Sequence, residues 1–281
     1  MGLVVKTSSP QAIALGQQVL SRVKEKGVEV VVDAQSAPFL HAEPGPSRAA
    51  LGREVDAVLV LGGDGTFLSV TRGCPATTPV AGVNLGTLGF LTEHPAERVW
   101  QLVDDLLAGN VQCEKRDRLL CRVEGDDSPQ EFLVLNDVVI AMATLARILT
   151  IDVEVEGEFL SRYRADGLIL ASPTGSTAYN LSAGGPIVHP ELSALITTPI
   201  CSHTLSIRPL VVPLHFQVAV RVHPGDEDVY LTLDGQYGLP LTDRHVVRVL
   251  PEGDPLLVVR PPNASFFAIL HDKLKWGDWG S

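Results

Sequence analysis

Along the first 110 residues, short continuous apolar runs alternate with segments whose apolar residues recur every three or four positions. The runs "LVVK" (Leu3 to Lys6), "VEVVVD" (Val28 to Asp33), "DAVLVL" (Asp56 to Leu61) and "PVAGVN" (Pro79 to Asn84) read as buried strands. Between them, Pro10 to Lys26 places Ile13, Leu15, Val19, Leu20 and Val23 at helical spacing and stops at Gly27. A helix from Gly65 to Arg72 opens directly from a glycine turn. Another runs from Pro95 to Asn110, with Val99, Leu102, Val103, Leu106 and Leu107 on one face and Gly109 near its end. Such alternation predicts a parallel sheet covered by helices.

The rhythm changes near residue 111. From Cys113 to about Pro261 come many short β-rich runs, among them "LLCRVEG", "EFLVLNDVVIAM", "ILTIDVEVEG", "GLILAS", "FQVAVRV", "VYLTLDG", "HVVRVL" and "PLLVVR". Turn signals such as "HPGDED" and "PEGD" separate them. This half is expected to form an all-β sandwich. After Pro261 and Pro262, "SFFAILHDKLKW" (Ser265 to Trp276) returns to helical period. The predicted fold class is therefore α/β plus all-β. An α/β domain over residues 1–112, rejoined by a tail helix in 263–281, is followed by a β-sandwich domain over 113–262.

Composition narrows the function classes. The chain has 281 residues, 45% hydrophobic and 20% charged, which is ordinary for a globular protein. A net charge of -11 argues against nucleic-acid or membrane-surface binding. An acidic protein that binds small anions must rely on local devices such as glycine loops, helix N-termini, a few arginines or a bound cation. None of the four cysteines forms a C-x-x-C pair, so no zinc site or disulfide framework is signalled and a reducing cytoplasm is expected. No apolar run approaches the roughly 18 residues of a membrane helix, and "MGLVVKTSS" carries no signal-peptide pattern.

Candidate chemistry gathers in five stretches. In "LVLGGDGTFLSV", Gly63 and Gly65 flank Asp64 at a strand-to-helix turn. Backbone amides of such a turn approach phosphate oxygens closely, and the helix N-terminus favours an anion. The alternative is a tight turn with an acidic helix cap. No "GK" occurs, which excludes a Walker A loop, and Leu68 stands where the dinucleotide fingerprint needs its third glycine. An acid in a phosphate cradle repels its ligand unless it performs chemistry or holds a metal, and either suits phosphoryl transfer. "NLGTLGFLTE" (Asn84 to Glu93) is a second glycine loop on the same sheet edge. Asn136 and Asp137 interrupt an apolar strand run, where unpaired burial costs about 1–3 kcal/mol each. They read as ligand contacts or as a bulge or strand end. In "RADGLILASPTGSTAYNLSAGGPIVHP", Thr174, Ser176, Thr177, Tyr179 and Ser182 crowd around glycines; Tyr179 offers a face for a base to stack on. "LTLDGQYG" places Asp234, Gly235 and Gln236 in what reads as an ordinary hairpin turn.

Together "GGDGTFL", "NLGTLGFLTE", "LNDVV", "DGLILASPTGSTAYNLSAGGPIV" and "DGQ", in this order over about residues 55 to 240, resemble the bacterial NAD kinase family. The resemblance implies transfer of phosphate from ATP to the 2′-hydroxyl of the adenosine ribose of NAD. It also implies Mg²⁺ or another divalent cation with the ATP, and a homodimer or homotetramer whose sites a neighbouring subunit can complete. By this resemblance Asp64 is the general base, and Gly63 and Gly65 belong to the diphosphate-binding loop. Asn136 and Asp137, where some relatives carry Glu at the second position, contact the adenosine side. Arg147, Arg164, Asp166 and Gln236 are further ligand contacts. Thr174 and the run Thr177, Ala178, Tyr179, Asn180, Leu181 and Ser182 form the nucleotide-binding loop. The metal's ligands stay unassigned, as does the choice between ATP and polyphosphate. A lipid or sugar kinase of the same G-G-D-G superfamily, or a non-catalytic nucleotide sensor, are the rival readings.

Overall fold

The apolar runs of the first 110 residues become parallel neighbours in one sheet. In the computed structural model its order is Val31–Val32, Gly2–Val5, Val58–Leu61, Val80–Asn84, Leu256–Val259 and Cys113–Arg116, with His94–Pro95 pairing alongside the end of Val80–Asn84. The central strands are buried at every residue, as a sheet covered on both faces requires. The structure describes residues 1–86, 89–143, 148–204, 206–225, 227–250 and 253–276.

Three expectations change here, the first being that Cys113–Arg116, counted above with the β-sandwich, is a strand of this sheet. "VEVVVD" pairs through Val31 and Val32, because its neighbour begins at Gly2, opposite Val31, and because Asp33 turns the chain by accepting from the Gln35 and Ser36 amides. "PLLVVR", assigned above to the β-sandwich, instead supplies Leu256–Val259 to the parallel sheet, with Val258 opposite Val80 and Val259 opposite Ala81. Its continuous burial suits either environment, so periodicity did not tell the sheets apart.

The helices follow their signals. Pro10–Glu25 starts with Pro10 in its first turn and with the Ser9 hydroxyl accepting from the Ala12 amide, and it buries Ala12, Gly16, Val19, Leu20 and Val23. The Pro95–Asn110 segment is a 3-10 turn, Ala96–Arg98, leading into Val99–Ala108, which Gly109 closes in the left-handed region. Asp64–Thr71 leaves the glycine turn after Val58–Leu61. The tail helix is Phe266–Leu274. By contacts, residues 1–115 and 256–281 form one compact unit and 116–255 another.

The second unit is a sandwich of two antiparallel sheets. One runs in the order Glu158–Ala165, Leu149–Val155, Val218–His223, Val246–Leu250, Leu119–Glu124, Gln130–Val134; the other Leu210–Pro213, Ala194–Ile200, Gly167–Ala171, Asp137–Met142, Val229–Leu233, Tyr237–Leu241. Leu119, Cys121, Ile151, Val220 and Val249 of the first sheet meet Ile140, Leu168, Leu170, Leu231 and Leu233 of the second in one core. The outer face of the second sheet is also covered: Val139, Ile169 and Ile196 pack with Val188 and Ala183. That is why "GLILA" is an unbroken apolar run and why "ALITTPI" is buried at every residue. The run "EFLVLNDVVIAM" is two strands, Gln130–Val134 and Asp137–Met142, and the chain changes sheets at Leu135 and Asn136.

Candidate active site

In the first unit, Asp64 is the first residue of its helix, with Gly63 as the N-cap. Neither flanking glycine is demanded by the fold, since neither has a positive φ and a Cβ on Gly63 or Gly65 would meet nothing within 4 Å. The carboxylate itself is tied to the second glycine loop. Oδ2 accepts from the Phe90 amide at 2.9 Å, while Oδ1 accepts from the amides of Leu91 (3.1 Å) and Thr92 (3.0 Å) and from the Thr92 hydroxyl (3.0 Å). Gly89 makes this approach possible, because a Cβ there would lie 2.0 Å from Oδ1. Asn84 shapes the start of the same loop by accepting from the Gly86 amide at 2.7 Å, and Phe90 meets Phe266 of the tail helix at 6.5 Å between ring centres.

A cation missed in the sequence stands beside the turn. Lys6 follows the strand neighbouring Val58–Leu61, and its amide donates to the Leu61 carbonyl. It is exposed, and no ion pair or side-chain hydrogen bond holds it among the described residues. Its distance in sequence from the glycines hid it; only the pairing of the first and third strands brings it there.

In the second unit, three segments converge where the chain changes sheets. Asp234, at φ 52° in the hairpin between Val229–Leu233 and Tyr237–Leu241, turns its buried carboxylate toward the crossover. It accepts from the amides of Leu135 (3.1 Å), Asn136 (2.6 Å) and Asp137 (3.3 Å). The hairpin is there as expected, but its acid is also the anchor of the crossover. The third segment packs on from the other side: the Asn136 carbonyl accepts from the Ser172 amide, and a Cβ on Gly175 would fall 2.0 Å from that carbonyl oxygen. Asn136 keeps its Oδ1 buried and, among the described residues, without a partner. Asp137 is 4% exposed. Burial and then the neighbouring Asp234 charge push its carboxyl up to about 7, against a hydrogen bond from the Tyr179 amide.

The hydroxyl-rich segment divides by role. Tyr179 is 46% exposed and Ser182 is exposed, with Thr177, Ala178 and Leu181 half-buried. Thr174 is buried in a 3-10 turn, Thr174–Thr177. Asn180 is wholly buried and its amide is spent inside the protein: Nδ2 donates to the carbonyls of Ser176 and Pro186, and Oδ1 accepts from the Thr198 hydroxyl at 2.6 Å. Its side chain holds the loop in shape. Gln236 is exposed in the Asp234 hairpin.

Arg164 and Asp166 are not brought to this cluster. Gly167–Ala171 pairs with Asp137–Met142 so that Ala171 faces Asp137 and Gly167 faces Ala141. Asp166 therefore lies at the far end of that strand, about 17 Å away at strand rise, where its carbonyl accepts from the Met142 amide. Arg164 is exposed on the edge strand Glu158–Ala165. Arg147 lies outside the described residues. No group of three or more His, Cys, Asp or Glu side chains placed to hold a metal occurs among the described residues. Nor is any helix among them long and apolar enough to cross a membrane.

Comparison with known proteins supplies what geometry does not. A model of the ATP-NAD kinase N-terminal domain matches residues 1–111, and one of the ATP-NAD kinase C-terminal domain matches residues 135–260. The NAD kinase of Moorella thermoacetica is 39% identical over 99% of this chain and 89% of its own length; that of Syntrophotalea carbinolica is 39% identical over 99% of each. A crystal structure of an NAD kinase from Archaeoglobus fulgidus in complex with ATP matches with a TM-score of 0.77 at 25% identity, covering 96% of this chain and 98% of that one. A yeast NADH kinase complexed with NADH shares the fold, with a TM-score of 0.87 at 24% identity over 100% of this chain and 88% of that one. With both domain models matched in order and relatives alike over nearly the whole length, the chain belongs to the ATP-NAD kinase family.

Proposed function

We propose that Asp64 is the general base of an ATP-dependent NAD kinase reaction in which the γ-phosphoryl group of ATP passes to the 2′-hydroxyl of the adenosine ribose of NAD. The observation that carries this reading is the glycine turn around Asp64. Gly63 and Gly65 leave open space beside a helix N-terminus that their own backbone does not require. Amides in such a turn cradle phosphate oxygens. A carboxylate in hydrogen-bond reach of the hydroxyl takes its proton as the new bond to phosphorus forms. Lys6 gives the donor phosphates a cation that the turn itself lacks. The divalent cation belongs to the substrate and arrives on the triphosphate, because the donor set near the turn is a single carboxylate, too few ligands to hold such a cation without the phosphates.

In the second unit, Asn136, Asp137 and the exposed Tyr179 are the nucleoside contacts. The orphaned Asn136 Oδ1 supports this, since a buried acceptor without a donor costs about 1–3 kcal/mol until a ligand satisfies it. Thr174 and Thr177 to Ser182 form the adjoining loop, with Asn180 acting through loop shape, and Gln236 belongs to the Asp234 hairpin beside it. Arg164 and Asp166 form a separate subsite that a neighbouring copy of the chain brings into use, which makes the protein a homo-oligomer. Light scattering on a gel-filtration column tests that part. Four free cysteines fit a cytoplasmic setting.

The test of the main reading is NADP formation from NAD and ATP with Mg²⁺, comparing wild type with Asp64→Asn. With Gly63 as the N-cap, the rival role for Asp64 is a structural clasp on the second loop, which predicts that Asn lowers the melting temperature but leaves the turnover of the folded enzyme nearly unchanged. A base predicts a loss of roughly 10²–10⁴-fold, with ATP binding retained. Near-wild-type turnover in the Asn variant sinks the assignment.

A further inference from the structure

We propose that Thr92 is a positioning residue for Asp64, committing Oδ1 to the protein and leaving Oδ2 as the oxygen that takes the substrate proton. The inference rests on the reading of Asp64 as the base. An ionised carboxylate has about four acceptor sites, two on each oxygen. Here the donors are divided unevenly. Among the described residues Oδ1 takes three, from the Leu91 amide, the Thr92 amide and the Thr92 hydroxyl, and Oδ2 takes one, the Phe90 amide. One acceptor position on Oδ2 is left, and Oδ1 has none.

The asymmetry is built into the fold. Thr92 is fully buried, so its hydroxyl has no water to turn to. Gly89 lets the loop close to a distance at which any Cβ would collide with Oδ1. Three donors on one oxygen and one on the other fix the rotation of the carboxylate plane, which a lone capping bond would leave free. The proton then has one destination. As the 2′-oxygen bonds to the γ-phosphorus, its proton moves to Oδ2. The bond from that phosphorus to the β–γ bridging oxygen breaks, and its electron pair leaves with ADP. Asp64 holds the proton as a neutral acid until solvent removes it.

Among the four donors only the Thr92 hydroxyl belongs to a side chain, so it is the one substitution can remove. Thr92→Val keeps nearly the same volume and deletes the donor. Thr92→Ser keeps the donor and deletes a methyl group, and Thr92→Cys puts a weaker donor in the same place. Turnover is expected to fall in the order Thr, Ser, Cys, Val. The Val variant should lose about 10- to 100-fold, the scale of one hydrogen bond to a charged group, with KM for NAD and for ATP within about twofold of wild type. Full turnover in Val overturns the inference. So does Ser falling as far as Val, since packing and not the hydroxyl would then be responsible. If Val does not fold, the Ser and Cys variants still decide, because equal turnover in those two contradicts a donor role. Asp64→Asn run alongside separates the failures: an active Asn variant removes the base itself, whereas an inactive one beside a fully active Val variant removes only the role of Thr92.

Discussion

Asp137 shows how one residue can be read twice. In the sequence it was a polar interruption of an apolar run, open to a ligand-binding or a strand-end explanation. The structure makes it the first residue after a change of sheet, with its carboxyl pushed up to about 7 by burial first and by Asp234 second. Between its ordinary value of 3.8 and that value the folded chain holds a proton that the unfolded chain has lost. Stability therefore falls as pH rises from about 4 to about 7, and then levels off. Asp137→Asn removes the titration while keeping an acceptor for the Tyr179 amide. Without NAD, its melting temperature should match wild type near pH 4.5 and exceed it by several degrees at pH 8, as calorimetry across that range would show. A gap of equal size at both ends would mean that the carboxyl is not held in its neutral form. The polar pair was legible because it broke a pattern. Asp234 was not, since its partners lie 97 to 99 positions earlier in the chain and nothing in "LTLDGQYG" points to them.

At the scale of elements, the helix Asp64–Thr71 and the loop that meets it divide the same way. The strand, the glycine turn and the helix start were written in local sequence, as apolar run, Gly-Gly-Asp-Gly and helical spacing. The clasp of Phe90, Leu91 and Thr92 on Asp64 was not, because amide donors carry no sequence signature. The glycines allow a test of purpose that does not depend on the chemistry. A glycine needed by the backbone loses stability when replaced, whereas Gly65, inside the first helical turn with open space at its Cβ, has no such need. Gly65→Ala should hold or raise the melting temperature, by up to about 1 kcal/mol of helix propensity. It should also raise KM for ATP several-fold, because the methyl group intrudes where phosphate approaches. Thermal unfolding and steady-state kinetics on the same preparation separate the two effects. A destabilised variant with an unchanged KM for ATP would assign the glycine to the fold.

At the scale of the whole molecule, the change of rhythm near residue 111 told an α/β half from a β half, and the tail helix was visible after its two prolines. What stayed hidden was that the chain gives the first unit a strand as well as a helix on its return. In the sheet, Leu256–Val259 lies between Val80–Asn84 and Cys113–Arg116, so it is an interior member and its loss strands the last strand from the rest. Leu256, Val258 and Val259 are 0%, 1% and 2% exposed. At about 1.5–3 kcal/mol for each buried side chain, their removal costs roughly 5–9 kcal/mol, comparable to the whole stability of a domain. Arg260 would go with them. It pairs with Glu93 at 2.9 Å and with Glu114, so the nearly buried Glu93 would lose this ion pair. Residues 1–115 alone should therefore fail to fold. The same residues joined to 256–276 through a flexible Gly/Ser linker of about ten residues, in place of 116–255, should regain a cooperative thermal transition. Circular dichroism melts of the two proteins decide it, and a cooperative transition of equal midpoint in 1–115 alone would show that the returning strand is dispensable to its sheet.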